Sequence, residues 1–200
     1  MDAAPSLHGK YIGHLLLLTE DQSADAPPLP HMEECAVIDL KPLAAKIPTW
    51  QADGSMVGLR LLVPMVPLPA AELESLHLVV VGSGSELMAH AAREIQIGRV
   101  EIADESPAVL NAATPSFNRA FYGCGGKVPS VEQLLPMLTQ LQPDGHFALF
   151  GLLEEHLSPV QKGLSDCGFS MRSAGVEDGF GFLSGSVESL QRLRQKQSLV

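Results

Sequence analysis

Residues 76–96 read LHLVVVGSGSELMAHAAREIQ, and this stretch decides the fold. Leu76–Val81 is continuously apolar and rich in valine, which is typical of a strand that is buried on both faces of a sheet. Gly82-Ser83-Gly84-Ser85 ends that strand, and the apolar residues of Glu86–Gln96 then follow a helical spacing. A buried strand, a glycine turn and a helix in this order predict the first unit of a parallel α/β sheet.

The alternation of strand and helix signals continues along the rest of the chain. Further strands are predicted at Arg99–Ala103, Arg119–Tyr122 and His146–Leu152, and helices at Ser106–Ala113, Val131–Leu141 and Pro159–Cys167. Ser130 is a good helix cap, Gly168 a usual helix end, and Pro143-Asp144-Gly145 a turn. Glu177-Asp178-Gly179 predicts a hairpin between the last two strands. We therefore predict a Rossmann-like α/β sheet, mostly parallel, with a C-terminal antiparallel hairpin.

The first 70 residues differ from the remainder. Their apolar stretches, separated by proline- and aspartate-rich connections, are Tyr11–Thr19, Cys35–Leu40 and Leu59–Val66. Pro64 interrupts the third stretch, which favours an edge strand or a strand that ends early. Trp50 is predicted in a loop before Gly54. We predict a β-rich N-terminal appendage over residues 1–70 and an α/β domain over residues 71–200.

Charge and cysteine content narrow the classes of function. The net charge of −10 argues against nucleic acid and against an acidic membrane surface as partners. Cys35, Cys124 and Cys167 form no CxxC pair, so we expect neither a disulfide framework nor a metal site. No apolar run approaches the ~20 residues that span a bilayer. These features predict a cytoplasmic protein, and they leave open a homo-oligomer.

The glycine turn carries the first candidate site. Glycines let the backbone approach a ligand closely, and the following helix offers free N–H groups at its N-terminus. Asp104 lies 20 residues after Gly84, at the end of the next strand, where a carboxylate can accept hydrogen bonds from a ribose. The predicted cofactor-binding residues are Gly82, Ser83, Gly84, Asp104 and Glu105. The alternative is a turn that only connects two packed elements, and Leu87, where a dinucleotide fingerprint needs glycine, counts against NAD(P).

Three segments resemble the ordered motifs of class I S-adenosylmethionine-dependent methyltransferases: VVVGSGSE (79–86), VEIADESPAVLNAA (100–113) and LQPDGHFAL (141–149). The resemblance implies that S-adenosylmethionine is the cofactor, with its methionine part at the glycine turn and its ribose at the acid after the second strand. The chain departs from the pattern at Val80, where the family usually has an acid that helps place the cofactor's amino group. It departs again at Glu86, where the third glycine is usual. The segment between Asp104 and the next predicted strand is also shorter than in the family, which usually has a further strand and helix there.

Within that family, one branch has further similar segments. FYGCGG (121–126), Leu141–Gly145 and LLE (152–154) resemble the decarboxylating precorrin-6Y C5,15-methyltransferase of cobalamin biosynthesis. This resemblance implies that Gly123, Gly125 and Gly126 belong to the substrate or cofactor cleft. It also implies a tetrapyrrole as the methyl acceptor.

Two residues at the end of the fourth predicted strand complete the candidate substrate site. His156 is either a general base or an exposed loop histidine. Glu154 is either part of an acidic entrance to the cleft or a solvated surface residue. Cys124 is either a nucleophile or a small residue of a tight turn, and no histidine near it in sequence would activate it. The sequence therefore assigns no catalytic residue.

Two functions lead after these observations, and a nucleotide- or NAD(P)-binding domain is a third, against which Leu87 and the C-terminal hairpin count. The first is methyl transfer from S-adenosylmethionine to a small molecule, in which the protein mainly positions donor and acceptor. The second is a methyltransferase-like pseudoenzyme that has lost the cofactor and serves a protein partner as a binding or scaffold subunit.

Overall fold

A computed structural model describes residues 10–19, 35–103 and 117–186 of the chain. The strands of the described part are β1 (Lys10–Ile12), β2 (Leu15–Leu18), β3 (Ala36–Asp39), β4 (His77–Gly82), β5 (Arg99–Ala103), β6 (Phe117–Gly123), β7 (Leu141–Leu153), β8 (Ser170–Glu177) and β9 (Phe180–Ser186). Its α-helices are α1 (Ile47–Ala52), α2 (Ala70–Ser75), α3 (Ser85–Glu94), α4 (Val131–Thr139) and α5 (Glu154–Asp166). Short 3₁₀ helices cover Lys41–Lys46, Ser55–Leu61 and Val63–Met65. The predictions for Asp104, Glu105 and the helix Ser106–Ala113 lie outside the described residues.

The main sheet has the strand order β5-β4-β6-β7-β9-β8. Strands β5, β4, β6 and β7 pair in parallel, and β9 pairs antiparallel with both β7 and β8. The predicted α/β class is therefore confirmed, with its mostly parallel sheet and its C-terminal hairpin.

Local sequence signals explain where several of these elements begin and end. Ser130 accepts a hydrogen bond from the Gln133 N–H, and the Gln133 side chain accepts one from the Ser130 N–H, which completes a capping box for α4. Gly168 follows α5 with a φ of 93°. Asp178 and Gly179 have φ values of 52° and 80°, so the tight hairpin turn is formed by residues that tolerate the left-handed region.

The central strands of the main sheet are buried on both faces, and each face has its own hydrophobic core. Leu78 and Val80 point into a core that includes residues of the first 70 positions, among them Leu59. Val79 and Val81 point into the opposite core, which contains residues of α4 and α5. The alternation along β4 follows the two-residue period of a strand and explains its uninterrupted apolar sequence.

The N-terminal part is only partly β-structure. Strands β1, β2 and β3 form a separate three-stranded sheet, but the predicted strand at Leu59–Val66 is wrong. This region forms 3₁₀ helices, and their turns bury Leu59 and Leu62 completely against the main sheet. Trp50 lies in α1 and is 6% exposed, so the predicted loop there is also wrong. Both segments fold onto an apolar sheet face whose contacts the local sequence does not reveal.

Two boundaries around β7 also differ from the predictions. Residues 143–145 lie inside β7, where the register against β6 shifts, and Asp144 has a φ of 65°. Helix α5 begins at Glu154 and contains Pro159 in its interior, whereas the proline suggested a start at residue 159. The N-cap Leu153 offers no side-chain hydrogen bond, so the sequence gives no signal for the earlier start.

Candidate functional site

The strand order fixes where a ligand crevice lies. From β4 the chain passes to β5 on one side and then to β6 on the other side, which makes β4 a topological switch point. In open α/β sheets, ligands bind outside the carboxyl ends of the strands at such a point. Gly82 and Gly123 are register partners at the carboxyl ends of β4 and β6, so two glycine-rich turns meet there.

The first of these turns has the backbone shape that only glycine adopts easily. Gly82 and Gly84 have φ values of 82° and 70°, and α3 starts directly afterwards. The Ser83 N–H donates a hydrogen bond of 3.0 Å to the Gly123 carbonyl. A Cβ added at Gly123 would lie 1.6 Å from the Ser83 carbonyl oxygen. The two turns therefore pack backbone against backbone, and residue 123 has no room for a side chain.

A carboxylate reaches the first turn from a distant part of the chain. The Ser83 hydroxyl donates a hydrogen bond of 2.6 Å to Asp53 Oδ2, and the Ser55 N–H donates one of 2.9 Å to Asp53 Oδ1. Ser55 itself packs against the turn, since a Cβ at Gly84 would lie 2.5 Å from the Ser55 side chain. Sequence reasoning missed Asp53; its one local signal is the Asp-Gly-Ser order, which is typical of an Asx turn.

These elements enclose a cavity of about 300 Å³, which we call the turn pocket. Its lining residues are Asp53, Ser83, Tyr122, Gly123, Cys124, Gly125, Lys127, Val128, Pro129 and Gln133. Asp53 and Lys127 place opposite charges on its wall, and Gln133 and Ser83 add neutral polar groups. The pocket therefore offers partners for both charges of a zwitterion.

The residues predicted from sequence fall into three groups. Ser83, Gly123 and Gly125 line the turn pocket, while Gly82 and Gly84 shape the turn behind it. Gly126, Glu154 and His156 are not among the lining residues. Asp104 and Glu105 lie outside the described part of the chain.

Glu154 and His156 occupy the first turn of α5 rather than the predicted loop. The Glu154 N–H donates to the Gly179 carbonyl at 3.1 Å, which ties the helix start to the hairpin turn. His156 Nε2 lies 3.6 Å from Glu155 Oε1 on the same helix. Gly126 donates its N–H to the Gly151 carbonyl at 2.7 Å and so holds the second glycine turn against β7.

Cys124 lines the turn pocket, but its environment keeps the thiol protonated. Burial raises the pKa of Cys124 to about 12, against a weaker opposing effect of a hydrogen bond from the Phe150 backbone to the thiol. At neutral pH the group is therefore a thiol and not a nucleophilic thiolate. This favours the interpretation of Cys124 as a small residue of a tight turn.

Two of the three sequence departures from the methyltransferase pattern, Val80 and Glu86, lie in the described part of the chain. Val80 is completely buried inside the sheet. Glu86 forms an exposed ion pair with Lys46, so its carboxylate points to the surface and does not fill the glycine turn.

No family model matches the chain, and no curated protein matches its sequence. Within residues 10–19, 35–103 and 117–186, no helix is long and apolar enough to cross a membrane.

Solved structures do resemble the fold. A ribosomal protein L11 methylase from Lactobacillus delbrueckii subsp. bulgaricus has a TM-score of 0.56 at 18% identity, over 88% of this chain and 95% of that one. A methyltransferase structure in complex with the Trm112 methyltransferase activator of Haloferax volcanii has a TM-score of 0.52 at 11% identity, over 74% and 93% of the two chains. A precorrin-6Y C5,15-methyltransferase from Geobacter metallireducens has a TM-score of 0.44 at 14% identity, over 60% and 85%, and this lower similarity does not bear on the substrate. Together with the strand order, the first two comparisons show that the chain has the fold of class I S-adenosylmethionine-dependent methyltransferases.

Proposed function

We propose that the turn pocket binds the amino-acid end of S-adenosylmethionine and that the protein transfers its methyl group to a small molecule. The observation that carries this proposal is the contact between Asp53 and Ser83. It supplies a carboxylate at the glycine turn, although the acid usual for the family is replaced by the buried Val80.

The chemistry of the lining residues fits the amino-acid end of this cofactor. Asp53 can accept hydrogen bonds from an α-ammonium group, and the Lys127 ammonium can pair with an α-carboxylate. The cavity of about 300 Å³ lies at the lower end of the range for small-molecule sites, so it suits part of the cofactor rather than all of it. The ribose contact is proposed for Asp104 or Glu105, as the sequence spacing suggests.

The protein's own contribution is mainly positioning. When bound, S-adenosylmethionine supplies an electrophilic methyl group on its sulfonium sulfur. The rigid backbone contact between Ser83 and Gly123 fixes one wall of the pocket, so the donor is held in a defined orientation. Because Cys124 is a thiol at neutral pH, we assign it no nucleophilic role. A tetrapyrrole, which the resemblance at Gly123–Gly126 implies, is the acceptor class to test first.

A second candidate function is a binding or scaffold subunit without cofactor. Two contacts within the chain favour it, because the chain itself already occupies part of the turn. The Ser83 N–H is used by the Gly123 carbonyl, and Ser55 packs directly on Gly84. A protein partner would then be the ligand of this subunit, as in the solved complex of a methyltransferase with an activator protein.

Calorimetric titration with S-adenosylmethionine and S-adenosylhomocysteine separates the two functions. We expect both ligands to bind the wild-type protein and Asp53→Asn to weaken each by about tenfold or more, since a hydrogen bond to a charged group contributes ~1.5–3 kcal/mol.

Asp39→Asn is the matched control for this experiment. Asp39 also accepts a hydrogen bond from the N–H two residues later, at 3.0 Å, but it does not line the turn pocket. Its variant should therefore bind like the wild type. No heat from either ligand with folded wild-type protein would exclude methyl transfer and favour the scaffold function.

A further inference from the structure

A second cavity of about 530 Å³ lies on the sheet face that the N-terminal segment covers, and we call it the arginine pocket. It shares no lining residue with the turn pocket. Its lining residues are Arg60, Leu61, Pro64, Met65, Leu68, Glu72, Arg119, Phe121, His146, Phe147, Ala148, Arg172, Ser173, Phe182 and Ser184. Strands β6, β7, β8 and β9 form its floor, and the segment around residues 60–68 forms its wall.

Sheet register brings two arginines to this cavity. Arg119 on β6 is the register partner of His146 on β7, and His146 is the partner of Ser186 on β9. Arg172 on β8 donates its Nε–H to the Ser186 hydroxyl at 3.3 Å. A β-bulge between residues 171 and 173 brings Arg172 and Ser173 to the same cavity.

Neither arginine is neutralised by an ion pair within the described residues. Arg119 donates one hydrogen bond, of 2.8 Å, to the Asn118 carbonyl, and Arg172 donates the bond to Ser186. A guanidinium group carries five N–H donors, so most of the donors of both groups remain for a ligand. Arg60 differs, because its Nε lies 2.7 Å from the Glu177 carboxylate.

The electrostatic environment supports the same conclusion. Burial and the nearby Arg172 lower the pKa of Arg119, while Glu72 acts against this. Burial, Arg119 and Arg172 lower the pKa of His146 to about 4 against a weaker opposing effect of Asp144, so this imidazole is neutral at pH 7. The chain as a whole has a net charge of −10. Among the described lining residues, however, Arg60 is paired with Glu177, and the guanidinium groups of Arg119 and Arg172 are opposed by the exposed carboxylate of Glu72, which leaves a net positive charge.

The rest of the lining is mostly apolar. Leu61, Met65 and Leu68 line the cavity together with Phe121 and Phe182. Ser173 and Ser184 are hydrogen-bonded to each other at 2.7 Å. Small-molecule sites in proteins combine such apolar walls with a few polar groups that fix orientation. Guanidinium groups bind planar carboxylates through two parallel hydrogen bonds.

We propose that the arginine pocket binds a small organic monoanion, with a carboxylate held by Arg119 and Arg172 and an apolar body held by the surrounding leucine, methionine and phenylalanine side chains. One carboxylate balances the excess charge of the two arginines over Glu72. This ligand site is separate from the turn pocket and does not depend on the function proposed there.

Calorimetric titration with three compounds that share one apolar body tests this proposal. The probes are 4-phenylbutyrate, the neutral 4-phenylbutanamide and the cationic 4-phenylbutylamine. We expect the carboxylate to bind at least tenfold more tightly than the amide and the amine not to bind, since hydrogen bonds between charged groups are the strong ones. Equal affinity for carboxylate and amide, or no binding of the carboxylate at millimolar concentration, would overturn the proposal.

Arginine variants identify the groups that bind the carboxylate of the ligand. Arg172→Met removes an exposed guanidinium and should lower carboxylate affinity about tenfold while leaving amide affinity unchanged. Arg119→Met should do the same, and circular dichroism checks that each variant is folded.

Lys127→Met is the control, because it removes one positive charge from the turn pocket instead. It should leave 4-phenylbutyrate binding unchanged. An equal loss in Lys127→Met and Arg172→Met would assign the binding to overall charge rather than to this cavity.

Discussion

The turn pocket and the arginine pocket lie on one sheet but are built in different ways. The turn pocket lies beyond the carboxyl ends of β4 and β6, and its shape comes mainly from backbone turns at Ser83 and Gly123. The arginine pocket lies on the face of the sheet, and its positive charge comes from side chains such as Arg119 and Arg172. Strand ends therefore give this protein a rigid, glycine-defined site, whereas the sheet face gives it a site set by side-chain chemistry.

This difference matters for how each site responds to substitution. In the turn pocket, a methyl group added at Gly123 meets the backbone carbonyl of Ser83. In the arginine pocket, exposed side chains can be exchanged without loss of packing, so binding and stability can be changed separately. Two stability measurements test this contrast, beginning with the larger expected effect.

Gly123→Ala should destabilise the protein more than Gly126→Ala does. The new Cβ would lie 1.6 Å from the Ser83 carbonyl oxygen, so the two turns must separate. We expect the free energy of unfolding to fall by about 3 kcal/mol, at the upper end of the cost of overpacking. Urea denaturation followed by circular dichroism measures this loss.

Gly126→Ala is the control for that substitution. Gly126 has a φ of 76° but no heavy atom within 4 Å of an added Cβ, so only the left-handed backbone conformation is penalised. Its cost should be about 1 kcal/mol. Equal losses in the two variants would contradict a tight backbone contact between the glycine turns.

A smaller change in the stability of the folded protein is expected when the pH is lowered, because His146 in the arginine pocket titrates. The pKa of His146 is lowered from an ordinary value of 6.5 to about 4 in the folded protein, mainly by burial and then by Arg119 and Arg172, while Asp144 acts weakly against this. Between these pH values the unfolded chain binds a proton at His146 that the folded chain does not bind. Stability should therefore fall as the pH is lowered from about 6.5 towards 4.

His146→Asn should remove that part of the pH dependence. The variant and the wild type are compared by their urea midpoints at pH 7 and pH 5, and we expect the variant to lose less stability between the two. The same loss in both proteins would show that His146 does not contribute to this dependence.

The sequence predicts the C-terminal two thirds of the fold better than the first third. The strand at Leu76–Val81, the cap at Ser130 and the turn at Asp178-Gly179 all follow from local patterns, because burial period, capping and turn chemistry act over a few residues. The Leu59–Val66 region was predicted incorrectly, because its 3₁₀ helices are stabilised by packing on a sheet formed later in the chain.

The residues of the candidate site also differ in how well the sequence predicts them. Ser83, Gly123 and Gly125 could be predicted because glycine-rich turns after strands are visible in the sequence. Asp53 could not, because its contact with Ser83 spans 30 residues and depends on how the N-terminal segment crosses the strand ends. The arginine pocket was missed for a similar reason: Arg119 and Arg172 become neighbours only through the register of four strands.

The most direct test of the proposed cofactor site is a two-dimensional ¹⁵N–¹H NMR titration of the folded protein with S-adenosylhomocysteine. We predict saturable shifts of the Ser83, Gly125 and Lys127 amide signals, while the Arg172 and Ser184 signals stay in place. Unchanged signals around the turn pocket at millimolar ligand, or shifts confined to the arginine pocket, would contradict the assignment of the glycine turns to this cofactor.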